Sequence, residues 1–136
     1  MATTYSFGIQ DTPVAVIGAA RTVVASETGT TFILTTSGTD GAAITLPGVS
    51  IGLNYRFVTG AAFATTDWTI VSATDTIEGS AIVAGLHVPA ENENTISFVA
   101  SAETIGDYVD IFSDGTSWFV RGVGETTGSI TFTAPA

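Results

Sequence analysis

The feature that most restricts the fold of this chain is a series of short segments rich in Thr, Val, Ile, Phe and Trp, separated by turn-forming residues. The segments recur every 8 to 12 residues or so, the spacing typical of β sandwiches and barrels. No stretch has the apolar period of a long amphipathic helix. The pattern predicts strands at residues 14–17, 22–25, 31–35, 43–46, 54–58, 68–71, 80–83, 95–99, 107–112, 117–121 and 129–133. We therefore expect an all-β fold, a β-sandwich or jelly roll of about 8–11 short strands.

The length predicts a single domain, because 136 residues fall within the usual size of one compact unit. No linker or low-complexity tract divides the chain. The opening stretch, MATTYSFGIQDT, places Tyr5 and Phe7 ahead of Pro13, which favours an arm over a core strand. We predict an N-terminal arm at residues 1–13 and a single β domain at residues 14–136.

The charge of the chain excludes two classes of partner. Thirteen acidic residues stand against three arginines and no lysine, and the net charge is −10. Binding of nucleic acid depends on cationic groups that displace counterions from phosphates, so DNA and RNA are excluded. The longest stretch without a formal charge, residues 41–55, is shorter than the roughly 18 residues that a membrane-spanning helix requires. We expect neither a nucleic-acid nor a membrane partner.

The segment GVSIG, residues 48–52, matches the GxSxG nucleophile elbow of serine hydrolases. That elbow places its serine between a strand and a helix, whereas Pro47 precedes this motif and the strand-like NYRFV follows it. We interpret Ser50 as a turn residue. His87 is the only histidine and cysteine is absent, so the usual ligand set of a transition metal cannot be completed. We expect no catalytic residue, cofactor or metal, with calcium binding and a carboxylate pair for glycan hydrolysis as minor alternatives.

The clearest local element is a hairpin in DYVDIFSDGTSWFVRG, residues 107–122. Asp114 and Gly115 suit a type I′ turn, and the resulting register places Ile111 opposite Trp118 on a core-facing side. Trp118 and Trp68 are predicted to lie in the core rather than in a platform that binds sugars. The other side of the hairpin carries Tyr108, Asp110, Phe112, Phe119 and Arg121.

Two interpretations of Arg56 and Arg121 stay open. Aromatic residues and arginine are enriched at protein interfaces, where a guanidinium pairs bidentately with a carboxylate. The same arginines could form internal salt bridges, since Arg121 can reach Asp110 diagonally across the hairpin. The candidate interface residues are Tyr5, Phe7, Arg56, Tyr108, Phe119 and Arg121.

Four segments carry a resemblance to a known group of proteins: TTFILTTSGTDGAAITLPGVSIGLNYRFV, DWTIVSA, NTISFVASAETIGDYVDIFSDGTSWFV and GSITFTAP. They resemble small β proteins of tailed bacteriophages, including capsid decoration (cement) proteins. The likeness covers about residues 22–135 and is clearest in the ITLP turn and in SDGTxW before the terminal strand.

The resemblance implies a function without catalytic residues. A decoration protein forms a homotrimer on the capsid surface of the virion, where it bridges and stabilises neighbouring subunits of the major capsid protein. Similar modules occur in phage tail fibres and spikes. The alternative is therefore a tip module that binds a receptor or glycan.

Overall fold

The computed structural model describes residues 13–36, 38, 40–73 and 76–134. These residues form an all-β structure whose only helical element is a single 3-10 turn at Ala25–Glu27. The predicted arm, with Tyr5 and Phe7, lies outside the described residues except for Pro13. Within the described ranges the strands are β1 (Val14–Ile17), β2 (Arg21–Thr22), β3 (Thr31–Leu34), β4 (Ala43–Thr45), β5 (Asn54–Thr59), β6 (Trp68–Val71), β7 (Ile77–Val83), β8 (Leu86–Glu93), β9 (Thr95–Phe98), β10 (Tyr108–Ser113), β11 (Trp118–Gly124) and β12 (Ile130–Thr133).

The strands form two mixed sheets. The large sheet has the order β1-β3-β5-β10-β11-β7-β8, and the small sheet has the order β12-β9-β6-β4-β2. The all-β prediction is confirmed. The jelly-roll alternative is not confirmed, because a jelly roll is antiparallel, whereas β1, β3 and β5 pair in parallel in the large sheet and β2, β4 and β6 do so in the small sheet.

The first six strands alternate between the two sheets. Strands β1, β3 and β5 are therefore parallel neighbours in the large sheet, and β2, β4 and β6 are parallel neighbours in the small sheet. We call this region, residues 14–71, the wound half. Its parallel registers place equivalent side chains of successive strands beside one another. Phe32 of β3 pairs with Phe57 of β5, and their rings stack with centroids 5.4 Å apart at an interplanar angle of 14°.

The second region, residues 77–133, consists mainly of antiparallel pairs and is called the hairpin half. Strands β7 and β8 form one hairpin, β10 and β11 form another, and β9 pairs with β12. The two hairpins are joined in the large sheet by the parallel pair of β7 with β11. The second hairpin also borders β5 of the wound half.

A single apolar cluster, formed by buried residues of both sheets, lies between them. Trp68 of the small sheet and Trp118 of the large sheet are fully buried, which confirms that both belong to the core. The indole Nε1 of Trp68 donates a hydrogen bond of 2.9 Å to the backbone oxygen of Thr35. Because this polar atom is satisfied, the ring is buried without an unpaired donor.

The register of the second hairpin differs from the prediction. Ile111 lies opposite Val120, not opposite Trp118, so the pairing is shifted by two residues. Since side chains alternate with a period of two, this shift leaves the predicted faces of both strands unchanged.

The hairpin loop explains the shift, because it has four residues, 114–117, rather than two. Asp114 Oδ1 accepts hydrogen bonds of 2.9 Å from the backbone N–H groups of Thr116 and Ser117. This side-chain turn replaces the predicted type I′ turn, and Gly115 adopts a φ of 95°. The backbone hydrogen bonds lower the pKa of Asp114, with that from Ser117 the largest cause.

Two local elements were predicted wrongly. The predicted strand at 22–25 is limited to Arg21–Thr22, because the chain then enters the 3-10 turn. The prediction lacks β8, whose Pro89 and charged residues resemble a loop. Strand β8 is an edge strand of the large sheet, a position where proline is tolerated. The positive φ angles of Ala84 (51°) and Gly85 (77°) make the tight β7–β8 connection.

Candidate functional site

The side chains of the large sheet that point away from the small sheet form what we call the outer face. In β10 the burial alternates, so that Val109 and Ile111 face the core and their neighbours face outward. The registers of the adjacent strands add further side chains to this surface. On strands β1, β3, β5, β7, β10 and β11 the outer face comprises Val14, Val16, Thr31, Ile33, Asn54, Arg56, Val58, Glu78, Ser80, Ile82, Tyr108, Asp110, Phe112, Phe119, Arg121 and Val123. The edge strand β8 adds His87 beside Ile82 and Pro89 beside Ser80.

Three rows of side chains cross the outer face from β3 or β5 to β7. The polar middle row consists of Thr31, Arg56, Asp110, Arg121 and Ser80. An apolar row on one side consists of Ile33, Val58, Tyr108, Val123 and Ile82. The row on the other side consists of Asn54, Phe112, Phe119 and Glu78. Aromatic residues and arginine, two residue types enriched at protein interfaces, therefore lie side by side on this face.

Arg56 and Asp110 form a bidentate ion pair in the middle row. Arg56 Nε donates to Asp110 Oδ1 at 2.5 Å, and Nη2 donates to Oδ2 at 2.8 Å. The guanidinium also lies over the ring of Tyr108, 4.9 Å from its centroid. The hydrogen bond to Asp110 raises the pKa of Arg56 above its ordinary value. Arg56 is thus held in place by groups of its own chain.

Arg121 lies directly opposite Asp110 on the neighbouring strand, not diagonally across from it. Both oxygens of Asp110 already accept hydrogen bonds from Arg56. Among the residues that the structure describes, Arg121 forms no salt bridge. The internal bridge considered for Arg121 is therefore made by Arg56 instead, and Arg121 keeps an exposed guanidinium.

The aromatic row contains two phenylalanines in contact. The rings of Phe112 and Phe119 have centroids 5.4 Å apart and are inclined by 30°. Phe112 is 51% exposed, although it is a large apolar residue. Val14, Val16, Ile82 and Val123 are also exposed on this face. Such a concentration of apolar surface on one side of a sheet is typical of a surface that binds another protein.

Two depressions flank Asp110 on the outer face. The first, about 330 Å³, is lined by Gly29, Thr30, Thr31, Asn54, Tyr55, Arg56, Asp110, Ile111 and Phe112. The second, about 280 Å³, is lined by Ser80, Ile82, Tyr108, Asp110, Arg121, Gly122 and Val123. Asp110 lines both depressions, whereas each arginine lines one. The first depression therefore contains the paired Arg56, and the second contains Arg121, which forms no salt bridge with a described residue.

The charges of the outer face differ from those of the whole chain. Its three rows carry Arg56, Arg121, Asp110 and Glu78, whose formal charges cancel, on a chain with a net charge of −10. Another acidic protein is therefore repelled less by this face than by a surface that carries only carboxylates.

Four of the six candidate interface residues lie together on the outer face: Arg56, Tyr108, Phe119 and Arg121. The other two, Tyr5 and Phe7, lie outside the described residues. Sequence reasoning did not select Val14, Val16 or Ile82, which join this face through the parallel pairs of β1 with β3 and of β7 with β11. No local signal identifies these residues, because β1 and β3, like β7 and β11, are not consecutive in the chain and no turn joins them.

Ser50 and His87 occupy different parts of the fold. Ser50 is exposed in the connection between β4 and β5, and its motif is followed by a strand rather than a helix, which confirms the interpretation as a turn. His87 is exposed on the edge strand β8. Within the described ranges there is no group of three or more His, Cys, Asp or Glu residues placed to hold a metal ion. The same residues include no helix long and apolar enough to cross a membrane.

Comparison of the chain with models of protein families, with curated proteins and with solved structures found no match.

Proposed function

We propose that this protein is a structural protein of a tailed-phage virion, a capsid decoration (cement) protein. In this proposal it binds the head exterior and bridges neighbouring subunits of the major capsid protein. The observation that supports the proposal is the outer face, where the exposed Phe112 and an arginine without a salt bridge to any described residue occur beside rows whose formal charges cancel. The sequence resemblance to decoration proteins supplies the identity of the partner.

The outer face has the physical properties that a clamp requires. Its side chains are carried by hydrogen-bonded strands, so the backbone is already ordered before a partner binds. Phe112, Phe119 and Tyr108 supply apolar area, and arginine supplies direction through its planar hydrogen-bonding groups. A surface of this kind holds two proteins together without any chemical step, and the proposal assigns no catalytic residue, cofactor or metal.

We further propose that the protein assembles as a homotrimer, as the resemblance implies. Three large apolar side chains outside the outer face are exposed and available for a contact between copies: Val24, Ile51 and Leu86. Light scattering behind size exclusion should give a trimer mass. A monomer mass at high micromolar concentration would contradict a stable trimer in solution.

Co-sedimentation with phage heads tests the function. Heads that lack this protein are mixed with the purified chain, sedimented, and assayed for bound protein over a range of concentrations. We expect saturable binding by the wild type and a loss of at least about tenfold in affinity for Phe112→Ser, since truncation of a hot-spot residue costs about 2 kcal/mol or more.

Ile105→Ser is the matched control for that experiment. Ile105 is 65% exposed in the β9–β10 connection, so this variant removes a comparable apolar group away from the outer face. It should bind heads as the wild type does. If the wild type ignores heads and binds host cells or glycans, the decoration proposal fails and the receptor-binding tip module takes its place.

A further inference from the structure

The three arginines of the chain have different electrostatic surroundings. Arg21 pairs with Glu27, and Arg56 pairs with Asp110. Arg121 has no carboxylate partner among the described residues, although it is on the same sheet and directly opposite Asp110. Within the described part of the chain its guanidinium donors therefore have no carboxylate to bind, and they are available to a group of a partner.

The surroundings of Arg121 form a concave site rather than a flat surface. Arg121 lines the 280 Å³ depression together with Tyr108, Ser80 and Ile82. The backbone of Gly122 also lines the depression. A Cβ atom at Gly122 would point toward the core, 2.8 Å from Val109 Cγ1, so this glycine reflects close packing beneath the sheet.

Asp110 also lines this depression but does not make it negative. Its two oxygens accept the hydrogen bonds of Arg56, so its charge is neutralised on the far side of the site. The charged groups that line the depression are thus Arg121 and Asp110. Because Arg56 neutralises Asp110 from the neighbouring depression, the positive charge of Arg121 is left available for a single anionic group.

We propose that this depression binds the carboxylate of an aspartate or glutamate side chain of the major capsid protein. The inference rests on the proposed function and names the chemistry that its partner presents. Arg121 donates two parallel hydrogen bonds to the carboxylate, and the hydroxyl of Ser80, its neighbour in the middle row, lies on the same side. Tyr108 and Ile82 contact the aliphatic part of the incoming side chain.

A single carboxylate fits better than a polyanion. The chain carries a net charge of −10, so it repels an extended array of phosphates over a long distance. One carboxylate on a folded partner approaches Arg121 over the outer face, whose three rows carry two arginines and two acidic residues and so add no net repulsion. Arg56 does not play the same part, because its Nε and Nη2 already make the bidentate contact with Asp110.

This division of roles predicts an unusual rescue. In Arg56→Ala, Asp110 loses its partner and is free to pair with Arg121, which lies opposite. Head binding should therefore weaken. The double variant Arg56→Ala/Asp110→Asn removes the competing carboxylate and should restore binding to within about threefold of the wild type. A purely structural role for Arg56 would not be rescued by a second substitution.

The test measures dissociation constants for heads by co-sedimentation at 50 and 200 mM salt, after circular dichroism and thermal melting show each variant folded. We expect Arg121→Ala to lose at least about tenfold in affinity at low salt and to lose less affinity than the wild type when the salt is raised, because one charge-assisted contact is removed. Arg121→Lys should retain only part of the affinity, since an ammonium group does not reproduce the bidentate contact.

The outcomes separate this inference from the function on which it rests. Wild-type binding that Arg121→Ala leaves unchanged, while Phe112→Ser abolishes it, overturns the carboxylate site and keeps the decoration function. Failure of the wild type to bind heads overturns the function itself. Loss of binding in Arg121→Ala together with rescue in the double variant supports the site.

Discussion

The wound half and the hairpin half both contribute strands to the large sheet, but their strands are connected differently. In the wound half, β1, β3 and β5 become neighbours only after the chain has passed through the small sheet between them. In the hairpin half, β10 and β11 are joined by a four-residue loop and pair at once. Parallel pairing requires such crossovers, whereas antiparallel pairing requires only a turn. The wound half therefore depends on the stacking of distant side chains, and the hairpin half depends on local turn chemistry.

The comparison also locates the functional groups. Tyr108, Phe119 and Arg121 of the candidate interface belong to one hairpin, whereas Arg56 belongs to the wound half. The ion pair of Arg56 with Asp110 joins the two halves across the β5–β10 boundary. The wound half thus supports the outer face, and the hairpin half supplies most of the groups that a partner contacts.

The largest expected effect concerns the stacked rings of the wound half. Phe57→Ala should reduce the free energy of unfolding by about 4 kcal/mol, since it removes a fully buried ring that stacks on Phe32. Val58→Ala alters the next residue, on the outer face, and should cost less than about 1 kcal/mol. Urea unfolding measures both. Equal losses would show that the stack is not the main support of this half.

A smaller effect is expected where the two hairpins meet. Gly79 of β7 has a φ of 130°, and a Cβ at this position would lie 2.2 Å from the backbone oxygen of Val120 in β11. Gly79→Ala should therefore reduce stability by about 3 kcal/mol. Gly85→Ala is the control, because this turn residue also has a positive φ but has no atom near the added methyl. It should cost about 1 kcal/mol, and thermal melting that ranks the two in the reverse order would contradict the close packing of β7 on β11.

The next prediction concerns Arg21 in β2, the edge strand of the small sheet. The Arg21 guanidinium lies over the ring of Phe32, 5.3 Å from its centroid, and forms a salt bridge with Glu27. Arg21→Ala should reduce the free energy of unfolding by about 1 kcal/mol, a modest value because the pair is partly exposed. Arg21→Lys, which keeps the charge, should lose less. If neither variant changes the urea midpoint, the contacts of Arg21 with Phe32 and Glu27 do not stabilise the fold.

The smallest effect is expected in the loop of the second hairpin. Backbone hydrogen bonds from Ser117 and Thr116 lower the pKa of Asp114. A lowered pKa in the folded state means that the carboxylate favours folding above its unfolded pKa, and that this contribution is lost as the pH falls through the folded value. Asp114→Asn should therefore make the urea midpoint slightly less sensitive to acid between about pH 5 and pH 2. An unchanged acid dependence would show that the loop does not depend on the carboxylate.

The same contrast explains how much could be predicted from the sequence. The alternation of the second hairpin correctly separated Ile111 from Arg121, because a strand reports its faces locally. The register was wrong by two residues, since the hydrogen bonds of the Asp114 side chain widen the loop beyond what the dipeptide Asp-Gly predicts.

Other features could not be predicted from local patterns. Strand β8 contains Pro89, and only its position at the edge of the sheet makes that residue compatible with a strand. The parallel neighbours of the wound half are separated by strands of the other sheet, so no turn signal marks them. For the same reason the contribution of Ile82 and Val16 to the outer face emerged only from the three-dimensional arrangement.

Electron cryomicroscopy of phage heads incubated with the protein would show whether the outer face binds the capsid. We expect additional density on the head exterior, at positions that join neighbouring capsid subunits, with the large sheet placed so that its outer face contacts the shell. Density confined to the tail tip, or heads that remain bare at saturating protein concentration, would contradict this expectation.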